Sequence, residues 1–266
     1  MPRVKPVDFE DRLTLVEHLD ELRSRIITVL VVLVVAFALC MWQNNLLLDI
    51  ANGPLPGDFV PITFGVAEPF TTTLTVAFYA ALILSFPVLI YEAYAFVLPA
   101  LSPREKKALL PFMLLAPFLF LAGLVFSYFV VMPAATQFLL NFNASEFNIE
   151  IRARDWYSFF ALSAIAVGLL FQLPIGILAV TRLGIFTPQQ IAANRRYAIL
   201  TIAVLAMLLP GTDPITMLIS MVPLLILFEG SLLLARLTYK PEEAETDVAL
   251  EPTDPSGPPE PPSEYA

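Results

Sequence analysis

The chain is poor in the residues that most enzymes need. Its single cysteine, Cys40, cannot close an internal disulfide. Its single histidine, His18, rules out an H-E-x-x-H zinc site, and no G-x-S-x-G nucleophile elbow is present. No catalytic residue, metal site or cofactor is therefore expected. Charge is scarce as well, at 15% of residues against 58% hydrophobic. That balance excludes a soluble globular domain, and 266 residues are too many for a single anchor. What remains is an all-α integral membrane protein that crosses the bilayer several times.

Apolar stretches run from Ile26 to Trp42, Val76 to Tyr91, Ala108 to Met132, Trp156 to Val180, Ala198 to Leu209 and Ile215 to Ala235. They predict six transmembrane helices over about 26–42, 70–97, 105–132, 156–181, 197–209 and 214–235, within a membrane domain of residues 1–240. At about 1.5 Å per residue the first covers roughly 25 Å, near the lower limit for a hydrocarbon core of about 30 Å. The fifth covers only about 18 Å, a length often found in re-entrant segments. Either a crossing or a dip there leaves the carboxyl terminus on the starting side. Prolines 87, 111, 117, 174 and 223 fall inside these stretches and predict kinked helices. The long first stretch, with an amphipathic segment before it, is read as a retained span and not as a cleaved signal peptide.

Of the 15 lysines and arginines, all but Arg152 and Arg154 fall before the first span, after the last, or in the loops on that same side. The positive-inside rule then puts both termini in the cytoplasm. The loops Gln43 to Pro69 and Pro133 to Asp155 face outward. The net charge of −9 belongs mainly to residues 241–266, which hold eight acids and no base. This Pro-rich acidic tail has too little apolar surface to pack and is expected to be disordered.

Two charged strings adjoin the spans. In the first, Thr14 and Glu17 have capping-box spacing and open an amphipathic lead helix of about 14–25. Leu15, Leu19, Leu22 and Ile26 form its apolar stripe, set to lie in the interface before the chain turns inward. Glu17, Glu21 and Arg25 share another face, where Glu21 and Arg25 have the spacing of a simple helix-surface pair. His18 reads as an interfacial contact. In the second string, Ser102-Pro103-Arg104-Glu105 again has capping-box spacing, so Glu105 has a local role available in starting the third helix. If Glu21 and Glu105 met in space, each carboxylate would be able to take an arginine guanidinium in a two-bonded fork.

The strings HLDELRSR and FVLPALSPREKK, with the later segments LGIFTPQQIAANRRYAIL, AMLLPGTDPIT and PLLILFEG, occur in one order between Asp11 and Tyr239. Together they resemble the TatC family, the multispanning core of the twin-arginine protein export system. The resemblance implies a glove-like bundle of six helices with short fifth and sixth helices, in the bacterial cytoplasmic membrane. It implies a receptor for signal peptides carrying paired arginines, working with single-span partners of the TatA and TatB type in an oligomer and driven by the proton-motive force. Carried over by motif, Glu21 and Glu105 would hold the arginines, Arg23 would order the acidic site, and Leu22 and Pro99 would complete the peptide-binding surface. Met207 and Leu208 match the partner-docking region. Glu229 matches a Phe-Glu pair, with partner binding and a structural hydrogen bond both open. Gln172 stands where the family often has glutamate, and is either a hydrogen-bond partner for an inserted peptide or glue between helices. Asp213, in the turn after the fifth span, is expected to make an Asx-type contact ahead of Pro214. A secondary transporter of a small solute is the alternative, but no internal repeat or midplane cluster of charges is evident.

Overall fold

The computed structural model describes residues 15–57, 59–97, 103–182, 184–210 and 213–238. The acidic tail, Thr14 and Pro99 lie outside them, as do the side chains of Glu17 and Glu105. Among the described residues everything regular is helical, apart from one isolated bridge between Ile62 and Arg152. Below, the near side is the one where the first helix begins, and the far side is the one it reaches.

Helix α1 (Leu15–Trp42) runs unbroken for 28 residues, about 42 Å. The separate interfacial helix expected over 14–25 is therefore the first part of the span itself. No proline or glycine lies between Leu15 and Trp42 to end a helix there. On the far side follows α2 (Asn44–Asn52), and α3 (Glu68–Val97) returns with Pro87 in its interior. Helix α4 (Pro103–Phe126) contains Pro111 and Pro117.

The third span does not stop at Met132. It passes through a π-helical turn, Ser127–Val131, into α5 (Met132–Asn141), so the loop expected from Pro133 begins as helix. Pro133 has no N–H to give to the carbonyl four residues back, and the chain adopts i→i−5 pairing just before it. The Met132 N–H accordingly donates to the Ser127 carbonyl.

The fourth span is two pieces, α6 (Ala153–Leu170) and α7 (Leu173–Arg182). Pro174 sits in the first turn of α7, where a missing N–H costs nothing, and so it does not kink a continuous helix. After the short α8 (Pro188–Ala193), capped by Thr187 and Gln190, come α9 (Arg195–Met207) and α10 (Pro214–Thr238). Helix α10 has 25 residues and is not short, because Pro223 lies inside it without ending it. Among the described residues, five helical segments are long and apolar enough to cross a membrane. At 13 residues and roughly 20 Å, α9 is not among them.

The helices meet where side chains are small. The α1–α3 seam is Ala36 and Cys40 against Ala77 and Ala81, all buried. The α4–α6 crossing is tighter still. A Cβ placed on Gly123 would stand 2.8 Å from the Gly168 Cα, and one on Gly168 would stand 2.7 Å from the Phe120 ring. That ring stacks on Phe86 at 3.7 Å and has nowhere to retreat. Lipid tails solvate apolar side chains as well as protein does, so such close approach is a main source of helix attraction in a bilayer.

On the far side the two long loops are fastened together. Ile62 donates to the Ile151 carbonyl and accepts from the Ala153 N–H, each at 2.8 Å. Arg152 Nε donates to Glu68 Oε1 at 2.8 Å, while the Phe64 N–H donates to Glu68 Oε2 at 3.0 Å. Glu68 is buried, and the hydrogen bond it accepts from Arg152, with its charge, raises the pKa of the Arg152 guanidinium. Arg152, one of the two bases that depart from the charge count, thus has a structural partner on its own side.

Gly168→Ala and Gly123→Ala are each expected to lower stability by about 1–3 kcal/mol through overpacking. Gly123→Ala should be the worse, because its obstacle is backbone. Thermal unfolding in detergent measures both. At the far-side fastening, Arg152→Ala should lower the melting temperature more than Glu68→Gln, since only the former leaves a buried carboxylate without its cation. The opposite order would remove Glu68 and Arg152 from the account of loop closure.

Candidate functional site

The packing of α1 on α3 decides which polar groups meet at the near side. Arg25 lies eleven positions before Ala36, and Glu92 lies eleven positions after Ala81. Eleven residues are just over three full helical turns, so each charged residue shares a face with the alanine of its own helix. In antiparallel helices joined along that seam, Arg25 and Glu92 arrive opposite one another. Arg25 Nη1 donates to Glu92 Oε2 at 2.9 Å.

The same guanidinium also holds Glu21, one turn back on α1. Arg25 Nε and Nη2 both donate to Glu21 Oε1, at 3.1 and 2.5 Å. All three guanidinium nitrogens are therefore engaged by two carboxylates. His18 Nδ1 lies 3.7 Å from Glu21 Oε2, and its ring stacks on Phe96 of α3 at 4.2 Å and 13°. The cluster is accessible but not open: the side chains of Glu21, Arg25 and Glu92 are 24%, 23% and 14% exposed. Beside it a groove of about 390 Å³ is walled by Leu22, Ile26, Leu89 and Phe96, among others.

The helix-surface pair of Glu21 with Arg25 is present, and it extends to a third charge. The guanidinium bound to Glu21 is that of Arg25, and Arg23 is exposed. Arg23 stands two residues before Arg25, about 200° around the helix, and so faces away from α3. Leu22 lines the groove. Glu105 starts α4 by its backbone, and its side chain and Pro99 lie outside the described residues, so their approach to Glu21 is not part of this geometry. Glu92 was missed by sequence reasoning. Its signal was there to read: an isolated carboxylate in the last turns of an otherwise apolar helix is costly unless a cation meets it.

The remaining polar residues are dispersed. Gln172 sits at the break between α6 and α7, and its Nε2 donates to the Ala116 carbonyl of α4 at 3.2 Å. It also borders a groove of about 510 Å³ with Thr201 and Phe228. Glu229 accepts from Arg195 at 2.7 Å and ties α10 to the start of α9. Met207 and Leu208, at the far end of α9, are 55% and 73% exposed. Buried Asp213 caps α10, its Oδ1 accepting from the Thr216 N–H at 2.7 Å. A larger groove of about 530 Å³ lies between α1, α2, α3, α4 and α6, lined by Cys40, Ile83, Leu124, Tyr128 and Phe160 among others.

Several apolar helices with charges gathered at one end define a multi-pass membrane protein. Comparison with known proteins takes this further. The family model described as Sec-independent protein translocase protein (TatC) matches residues 17–223. A Sec-independent protein translocase protein TatC from Halalkalibacterium halodurans is 34% identical over 233 residues, covering 87% of this chain and 92% of its own. The TatC of Escherichia coli K12 is 31% identical over 231 residues, covering 85% and 90%. A crystal structure of the twin-arginine translocase receptor TatC in DDM superposes with a TM-score of 0.72 at 29% identity, covering 82% of this chain and 99% of that one. The chain belongs to the TatC family of Sec-independent protein translocase components, and transport, not catalysis, is the activity of that family.

Because the seam sets the register, Ala81→Leu is expected to be destabilising by roughly 1–3 kcal/mol. It should also loosen the near-side cluster, which hydrogen exchange over 18–30 would record as faster exchange than in the parent chain. Unchanged exchange there would separate the cluster from the seam.

Proposed function

We propose that this chain is the receptor and core component of the twin-arginine export system, binding twin-arginine signal peptides at the cytoplasmic face. With TatA- and TatB-type partners it moves folded proteins across the bacterial cytoplasmic membrane, driven by the proton-motive force. The observation that carries the reading is chemical. Glu21 already grips an arginine guanidinium at a partly exposed site, so the carboxylate is placed, oriented and accessible for that group. A planar guanidinium can make two parallel bonds to a carboxylate, which an ammonium cannot, and this gives preference for arginine over lysine.

Glu105 joins Glu21 in this proposal as the second acid, with Leu22 and Pro99 beside them. The helix α9 crosses as a short sixth span, and local thinning of the bilayer meets its mismatch. Both termini are cytoplasmic, which puts the near-side cluster in the compartment where precursors are made. The exposed Met207 and Leu208 are the docking surface for a single-span partner helix. The apolar groove of about 530 Å³ suits the hydrophobic stretch of a signal peptide. A transporter of small polar solutes gains no support from a groove with that lining.

The test is binding of a fluorescent twin-arginine signal peptide to the full chain in nanodiscs. Glu21→Ala and Glu105→Ala are each expected to weaken it by roughly 10-fold or more, and replacing the peptide's arginines by lysines should do the same. Equal affinity of the parent for the arginine and lysine peptides would reject the receptor reading.

A further inference from the structure

The near-side cluster holds two carboxylates and one internal guanidinium, and that guanidinium occupies the place an incoming arginine would take. Arg25 uses Nε, Nη1 and Nη2 on Glu21 and Glu92 together, so each of its guanidinium nitrogens is engaged by the pair. Its four-atom stem rises from α1 close to the end of the span, and its head is 23% exposed. A rotamer change is enough to carry it into water.

Resting on the receptor reading above, we propose that Glu92 is a further arginine-binding residue of the docking site. We propose too that Arg25 is an internal stand-in for the ligand, displaced when a signal-peptide arginine binds. The resting chain thus keeps its acids neutralised, and docking is an exchange of one guanidinium for another across Glu21 and Glu92. Geometry favours exchange over addition, because Arg25 already occupies both carboxylates through all three of its guanidinium nitrogens.

Exchange gives a signature that a merely structural ion pair does not. Removing a competitor tightens binding, whereas removing a structural support weakens it. Arg25→Gln is expected to bind the twin-arginine peptide about 10-fold more tightly than the parent, an effect of about 1.4 kcal/mol. Arg196→Gln, which removes the same charge from an exposed position outside the cluster, should change affinity by less than about 2-fold, as expected for a screened surface charge. Glu92→Gln should weaken binding by about 10-fold, and in the Arg25→Gln background it should cancel the gain. If Arg25→Gln does not fold, Arg25→Lys serves: it keeps the charge but not the fork, and about 3-fold tighter binding is expected.

Titration of the fluorescent peptide into the full chain in nanodiscs, with melting temperature followed in parallel, reads all of these. Weaker or unchanged binding in both Arg25 variants overturns the exchange, and unchanged binding in Glu92→Gln removes Glu92 from the site. Either result leaves the receptor reading standing if the parent still prefers arginine to lysine and Glu21→Ala still weakens binding. Loss of that preference in the parent is the separate outcome that ends the receptor reading.

Discussion

The constraint on which this molecule depends is how closely two helices can approach in a medium that already solvates their side chains. In water, burying Leu and Val would drive α1 onto α3; in lipid that gain is largely absent, and contact area and backbone proximity take its place. The seam of Ala36, Cys40, Ala77 and Ala81 is a surface with little projecting from it. Small residues at those four positions let the helix backbones come together along their length. Large apolar side chains are left outside, as the exposure of Leu30, Val34 and Leu39 along the same helix shows.

A seam with a fixed register does more than hold two rods together. It specifies which residues stand opposite each other several turns away, at the polar edge where packing is no longer continuous. Arg25 and Glu92 are paired by that register over a separation of 67 positions in the chain. The ion pair in turn penalises a slip of the seam, because a slip by one turn would part Glu92 from its cation. Packing and charge therefore select the same alignment. The far side follows the same logic with different parts, where Glu68 and Arg152 join segments 84 positions apart.

Much of this was legible from the residues. The apolar runs gave the five helical segments, among the described residues, that are long enough to cross a membrane, and the ordered strings around Glu21 and Glu105 gave the family. What could not be read were events that depend on local hydrogen-bond bookkeeping. The continuation of the third span through a π turn reflects one missing N–H at Pro133, and the break at Gln172 sets Pro174 at a helix start instead of inside a helix. Both are invisible to hydropathy, which sees the same apolar letters in either case. Within the site, the acid-first spacing of Glu21 and Arg25 was plain, while Glu92 belongs to a different helix and needed the seam. Arg23 and Arg25 are chemically identical, and only the helix face turned toward α3 tells them apart.

A receptor for a cation faces a difficulty in its empty state. Carboxylates close enough to share one ligand repel each other, and near a hydrocarbon boundary the repulsion is poorly screened. Such a site stays folded only if protons, counter-ions or its own cation neutralise it between ligands. An internal arginine meets that need with the geometry of the ligand itself, so the acids keep the orientation they require while unoccupied. The cost falls on affinity, because the ligand gains only the difference between its own bonds and those it replaces. On the proposed exchange, a modest difference is an advantage for release: the departing arginine leaves two carboxylates that Arg25 can take up again.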